Sequence, residues 1–143
     1  MNEQLLKMNG LSVDTLDALS FESHLGIPLR KDLHYFNKDA LIDELTKLTE
    51  WLDEQEILLD IALDYRVKSV DSILLKYNRY YPDHQTRKVF NDILGFRAFC
   101  DSYEPILEGE SAQFRIADMT KGKAEDDGYR GVHVYYQKSG RHY

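Results

Sequence analysis

The sequence predicts an α+β domain with a mixed β-sheet flanked by helices. Leucines at helical spacing fill the first half of the chain, and short runs rich in Val, Ile, Tyr and Phe fill the second. At 143 residues, 43% hydrophobic and 30% charged, the chain can build one core but not two.

The elements follow in order. Leu11 to Leu25 has loose helical spacing, with Gly26 as its expected stop and Pro28 just beyond. Arg30 and Lys31 form a basic doublet in an otherwise acidic stretch. Asn37 is placed to cap a long helix in which Leu41, Leu45, Leu48, Leu52 and Leu59 share one stripe, and which is expected to run to about Tyr65. Ser69 is the expected cap of the next helix. Val70, Ile73, Leu74 and Tyr77 form its inner stripe, Ser72, Lys76 and Arg79 lie on another, and Pro82-Asp83 ends it. Strands are expected over Ile93–Cys100, Phe114–Asp118 and Arg130–Gln137. Ser139-Gly140 signals a hairpin, with Arg141-His142-Tyr143 as the first residues of a return strand. An edge left open there would pair with another chain.

Composition excludes several classes. Three prolines and eight glycines exclude a collagen-like or low-complexity chain. No apolar run approaches the roughly 18–20 residues that cross a bilayer. Residues 1–25 carry no basic segment followed by an apolar stretch, so no signal peptide is read. The single cysteine, Cys100, cannot form an internal disulfide, so a reducing compartment, the cytoplasm, is expected. Net charge is −7, unevenly spread. Residues 1–65 hold 5 basic and 14 acidic side chains, whereas residues 66–88 hold 6 and 2. This is a poor pattern for generic nucleic-acid binding and a suitable one for a local polyanion, such as a nucleoside triphosphate or one RNA end.

Three clusters could carry chemistry. Arg66 and Lys68 stand just before the Ser69 helix start, followed by Ser72 and Lys76. Free N–H groups, a positive dipole end and cations suit phosphate, and equally describe a solvated basic helix start. Asp92 opens an apolar strand that contains Arg97. A carboxylate at a strand end can hold Mg²⁺, or can simply cap the strand and pair with Arg97. Positions 92 and 97 have opposite parity in a regular strand, which a bulge at Gly95 would reconcile. In the third, Gly128 turns the chain into a strand on which Tyr129, Gly131, His133, Tyr135 and Gln137 share a face. That row could stack a base and hold a ribose, or be a solvent-facing strand surface.

Together these residues resemble the RelA/SpoT synthetase domain. The resemblance rests on Arg66-x-Lys68-Ser69-x-x-Ser72-x-x-x-Lys76, Asp92-x-x-Gly95-x-Arg97 and Gly128-Tyr129-Arg130-x-x-His133, and covers about residues 60–143. It implies a nucleotidyltransferase-like fold and transfer of pyrophosphate from ATP to a ribose 3′-hydroxyl. It divides one domain into a helical part, 1–65, and a nucleotide-binding core, 66–143. Arg66, Lys68, Ser72, Lys76 and Arg97 would bind ATP, and Asp92 would hold Mg²⁺. Tyr129 would stack on the acceptor base, with Arg130 and His133 lining the acceptor pocket. Family members usually read Lys-x-Asn-Gly-Tyr-x-Ser before the histidine; here Glu125, Asp127 and Gly131 stand at the departing positions. Gaining acids weakens the attraction for free GDP or GTP and favours another acceptor.

Pro28-Leu29-Arg30-Lys31-Asp32-Leu33 before an acidic helix looks most like the toxic small alarmone synthetases, toxins of toxin–antitoxin pairs. Many of them pyrophosphorylate the 3′-terminal adenosine of tRNA and so stop translation. That likeness implies that Arg30 and Lys31 touch the acceptor stem and that a protein antitoxin is a partner; a plain surface turn is the other reading of the doublet. The family carries Glu-x-Gln on the strand after the hairpin. The expectation is therefore that the natural protein continues past Tyr143, and that this chain alone is impaired. The alternatives are alarmone synthesis from ATP and GDP or GTP, and a non-catalytic module that binds nucleotide, RNA or an antitoxin. The oligomeric state stays open.

Overall fold

The computed structural model describes residues 12–61, 64–97, 114–119 and 131–143; side chains are described over 12–61, 64–97 and 133–143. It is α+β. Helix α1 spans Val13–Ala18, and a 3₁₀ turn spans Leu33–Tyr35. Helix α2 (Lys38–Asp53) and a second 3₁₀ turn (Glu56–Asp60) follow. Then come β1 (Asp64–Val67), α3 (Val70–Tyr80), α4 (Thr86–Val89), β2 (Leu94–Arg97), β3 (Phe114–Met119) and β4 (Gly131–Tyr136).

The leucine stripe builds the core. Asn37 caps α2 by accepting from the Ala40 N–H at 3.0 Å. Leu41, Leu45, Leu48 and Leu52 are at most 1% exposed. Each contributes roughly 1.5–3 kcal/mol over an exposed position. Leu29, Leu33, Ile73, Tyr77, Phe90 and Ile93 join the same cluster, so the helical first half and the second half share one core.

The helix stops at Asp53 rather than near Tyr65. Its last turn has no basic residue, and Glu50, Asp53, Glu54 and Glu56 crowd the negative end of the dipole. The 3₁₀ turn then buries Leu58 and leaves Leu59, expected on the stripe, 78% exposed.

The first helix is also shorter than its spacing predicts. Ser12 caps it, but it ends at Ala18, and the Ser20 hydroxyl bonds back to the Leu16 carbonyl at 2.7 Å. The chain then runs extended because it pairs with the C-terminal residues. Ser23 N–H donates to the Arg141 carbonyl at 2.8 Å, and Tyr143 N–H to the Phe21 carbonyl at 2.9 Å. Arg141–Tyr143 therefore does not return along β4 as a hairpin strand; its bridge is Glu22 to His142. Gly26 takes a left-handed φ of +73° in the following bend.

Both described ladders are antiparallel two-stranded sheets, β1 with β2 and β3 with β4; no parallel pair of the expected mixed sheet occurs among the described residues. Helix α3, the Tyr81–Asp83 turn and α4 reverse the chain, so β2 returns against β1. Val67, Leu94 and Phe96 pack on the core from one sheet face. Among the described residues no helix is long and apolar enough to cross a membrane.

Candidate functional site

The site begins where β1 passes into α3. Ser69 caps α3 as its sequence predicts, accepting from the Ser72 N–H at 3.2 Å while its hydroxyl donates to Ser72 Oγ at 3.0 Å. Lys68 stands just before that cap and Lys76 lies along the helix. Both ammonium groups meet one carboxylate: Lys68 Nζ is 3.0 Å from Asp92 Oδ2, and Lys76 Nζ is 3.2 Å from Asp92 Oδ1. The Lys68 and Lys76 side chains are 12% and 22% exposed, that of Asp92 36%. The cluster thus faces solvent at one end, through the carboxylate.

Backbone pairing sets this geometry. Lys68 N–H donates to the Ile93 carbonyl at 2.7 Å, extending the β1–β2 ladder to the residue beside Asp92. Asp92 lies in the turn before β2, so strand parity does not govern it. The register is continuous through Arg66 opposite Gly95 and Asp64 opposite Arg97, with no bulge at Gly95. Asp92 therefore pairs with the two lysines and not with Arg97, whose cross-strand neighbour is Asp64. Parity puts Arg66, Gly95 and Arg97 on one exposed face. Among the described residues no heavy atom lies within 4 Å of where a Cβ on Gly95 would sit, so none of them fills that face between the two arginines.

Tyr129 and Arg130 lie outside the described residues. His133 is on β4, half-buried, 3.3 Å from the Tyr135 hydroxyl through Nδ1. Arg30 and Lys31 are exposed, and Lys31 Nζ sits 5.3 Å over the Tyr35 ring. Helix α4 links the doublet to the lysine–aspartate cluster. The Thr86 N–H and hydroxyl both bond the Lys31 carbonyl at 3.0 Å, and Arg87 N–H bonds the Leu29 carbonyl at 2.8 Å. Asp92 is the third residue after α4.

Beside α4 lies a cavity of about 200 Å³. Arg87, Lys88, Asn91, Tyr135, Gln137 and His142 contribute to its wall. Sequence reasoning counted Arg87 and Lys88 only within the basic 66–88 segment, and Tyr135 and Gln137 only as members of a strand row. Their convergence depends on the C-terminal turn docking on Leu29, where Leu29 N–H donates to the Gly140 carbonyl at 3.1 Å. Tyr136 anchors β4 to α1 by donating to Asp17 Oδ1. Burial first, and then this bond, hold its phenol above the usual tyrosine range.

The donor set discriminates between kinds of metal site. Among the described residues no three His, Cys, Asp or Glu side chains converge to cage an ion. Both oxygens of Asp92 are paired with lysine ammonium groups, so this carboxylate could take Mg²⁺ only where a polyphosphate drew those cations away and completed the ion's shell. No family model and no curated protein matches this chain.

Proposed function

We propose that the chain has a RelA/SpoT-like, nucleotidyltransferase-type fold and transfers pyrophosphate from ATP to the 3′-hydroxyl of an RNA end, most closely the terminal adenosine of tRNA. The observation that carries this reading is the Lys68–Asp92–Lys76 cluster at the mouth of α3. Two ammonium groups held by a single carboxylate carry a net positive charge, and a triphosphate offers them more oxygens than Asp92 does.

In this reading ATP lies across the α3 start and the open sheet face. Lys68, Lys76 and Arg66 take the phosphates, with the free N–H groups of α3 and Ser72 alongside, and Arg97 contacts the nucleotide. With the lysines on phosphate, Asp92 would be the residue to hold Mg²⁺, and that ion would supply charge neutralisation on the transferred group. The acceptor 3′-oxygen attacks the β-phosphorus. The bond from that phosphorus to the α-bridging oxygen breaks, AMP departs, and the hydroxyl proton leaves with solvent or a nearby base. Positioning and charge dominate such a transfer, which suits a site of cations and one carboxylate. Tyr129 stacks on the terminal base, and His133 and Arg130 hold the acceptor. Blocking tRNA ends in this way would stop translation, the action of a toxin that an antitoxin partner restrains.

The test uses ATP labelled in the β- or the γ-phosphate, with deacylated tRNA and GDP as competing acceptors and AMP measured as co-product. Both labels appearing in tRNA supports the reading. Transfer to GDP alone moves the acceptor to the alarmone class. ATP binding without transfer to either leaves a nucleotide-binding module.

A further inference from the structure

The cavity beside α4 is marked by charge. The protein carries 25 acidic residues and a net charge of −7. Yet among the described residues no carboxylate lines this cavity, and Arg87 and Lys88 stand at its wall. A second, more open depression is lined by Arg30 and Arg141 with Pro28, Ser139 and Gly140, again with no carboxylate among the described residues. Backbone hydrogen bonds tie the segments that line the two. Leu29 lines the first and Arg30 the second, while the Leu29 carbonyl accepts from Arg87 N–H and its own N–H donates to Gly140. Four exposed cations from three separate segments thus line the two depressions.

The lining also selects the ligand. Tyr135 and Tyr136 place aromatic rings in the wall, and Asn91 and Gln137 supply both donors and acceptors. A dry cavity of about 150 Å³ accommodates benzene, so about 200 Å³ admits a heterocyclic ring of nucleobase size. A ring slot with amide donors and acceptors, together with these cations, is the composition of a single-stranded nucleic-acid site. A lipid headgroup would use the cations but not the slot.

We propose that the cavity walled by Arg87, Lys88, Asn91 and Tyr135 receives an unpaired nucleotide of a single-stranded RNA segment, with the neighbouring phosphates on Arg87, Lys88, Arg30 and Arg141. This deepens the proposed function and takes from it the kind of partner. Asn91 lines the cavity and Asp92 binds the two lysines, so the RNA track runs past the ATP cluster one residue away in sequence. The cavity reads an internal unpaired nucleotide, and the terminal one is left for Tyr129.

The experiment measures fluorescence anisotropy of labelled deacylated tRNA, a single-stranded RNA decamer and a blunt RNA duplex, over a salt series and without ATP. Tenfold or stronger preference for tRNA and decamer over duplex is expected. Arg87→Ala/Lys88→Ala should weaken decamer binding at least tenfold. It should also flatten the slope of log affinity against log salt by about 1.4, two phosphate contacts at roughly 0.7 each, while the ATP titration keeps its wild-type midpoint. Both side chains are exposed, so the variant folds, and Arg87→Glu/Lys88→Glu should weaken binding further. Wild-type RNA affinity in the double variants, equal affinity for duplex, or binding to phosphatidylglycerol vesicles in place of RNA would each overturn the proposal. RNA binding that needs Arg87 and Lys88, together with no pyrophosphate transfer to any acceptor, upholds the cavity and removes the proposed reaction.

Discussion

Glu44 joins the two ends of the described chain, and replacing it gives a sharp test of how the C-terminal turn is held. Its carboxylate is 6% exposed. It accepts from the Ser23 hydroxyl at 2.9 Å, the His24 N–H at 2.7 Å and the Tyr143 hydroxyl at 2.5 Å. Hydrogen bonds to a charged acceptor are worth roughly 1.5–3 kcal/mol each, and neutral ones about 0.5–1.5. Glu44→Gln keeps the volume and loses the charge, so three bonds weaken by roughly 1 kcal/mol each. Relief of burying a charge returns part of this, leaving a loss of about 2 kcal/mol. With a urea slope of roughly 1–3 kcal/mol per molar, the unfolding midpoint should fall by about 1 M. Tyr143→Phe removes one bond and should cost about 1–2 kcal/mol. Because the two residues touch, their double-mutant cycle should show a coupling of at least about 0.5 kcal/mol. Equilibrium urea unfolding followed by far-ultraviolet circular dichroism reads all three variants. A Glu44→Gln midpoint equal to wild type, or strict additivity with Tyr143→Phe, would refute the reasoning.

Three further outcomes are expected. In Gly95→Val the added Cβ meets no atom of the described residues within 4 Å and valine suits a strand, so the variant should fold as wild type while its side chain fills the face between Arg66 and Arg97. Its ATP affinity should fall several-fold by titration calorimetry, and unchanged affinity would clear that face of nucleotide. Tyr136 and Tyr143 are both pushed above the ordinary tyrosine value of 10.0, by burial first and then by bonds to Asp17 and Glu44. Their folded values exceed their unfolded ones, so their contribution to stability is complete below pH about 10 and is lost as the pH climbs above it. The fall of the urea midpoint above pH 10 should be shallower in Tyr136→Phe/Tyr143→Phe, and an unchanged slope would contradict this. Finally, Tyr129→Phe should retain more transfer activity than Tyr129→Ala, because base–aromatic stacking is worth roughly 1–3 kcal/mol; equal losses would point to the hydroxyl.

The helical core was legible because periodicity reports burial directly. Leu41 to Leu52 and the caps at Asn37 and Ser69 follow from spacing and from short polar side chains. Helix ends were less legible, because the Leu11–Leu25 pattern cannot reveal that Phe21–Ser23 is claimed by Arg141–Tyr143, over a hundred residues away. The site shows the same division. Lys68, Lys76 and Asp92 were each identifiable as residues suited to phosphate and metal, but which of them touch depended on the β1–β2 register and on Asp92 preceding the strand. The parity conflict that a Gly95 bulge would resolve does not arise, because Asp92 precedes the strand. The cationic track was least legible, since Arg30, Arg87 and Arg141 come together only through long-range backbone bonds of Leu29. Tyr129 and Arg130 rest on the sequence alone.

The central claim is that the lysine–aspartate cluster is a triphosphate site. Calorimetric titration of wild type, Lys68→Ala and Lys76→Ala with ATP and Mg²⁺ tests it most directly. The account predicts a single binding event, weakened at least tenfold by Lys68→Ala and measurably by Lys76→Ala, with AMP binding far less sensitive to either change. Equal ATP affinity in all three proteins would contradict it.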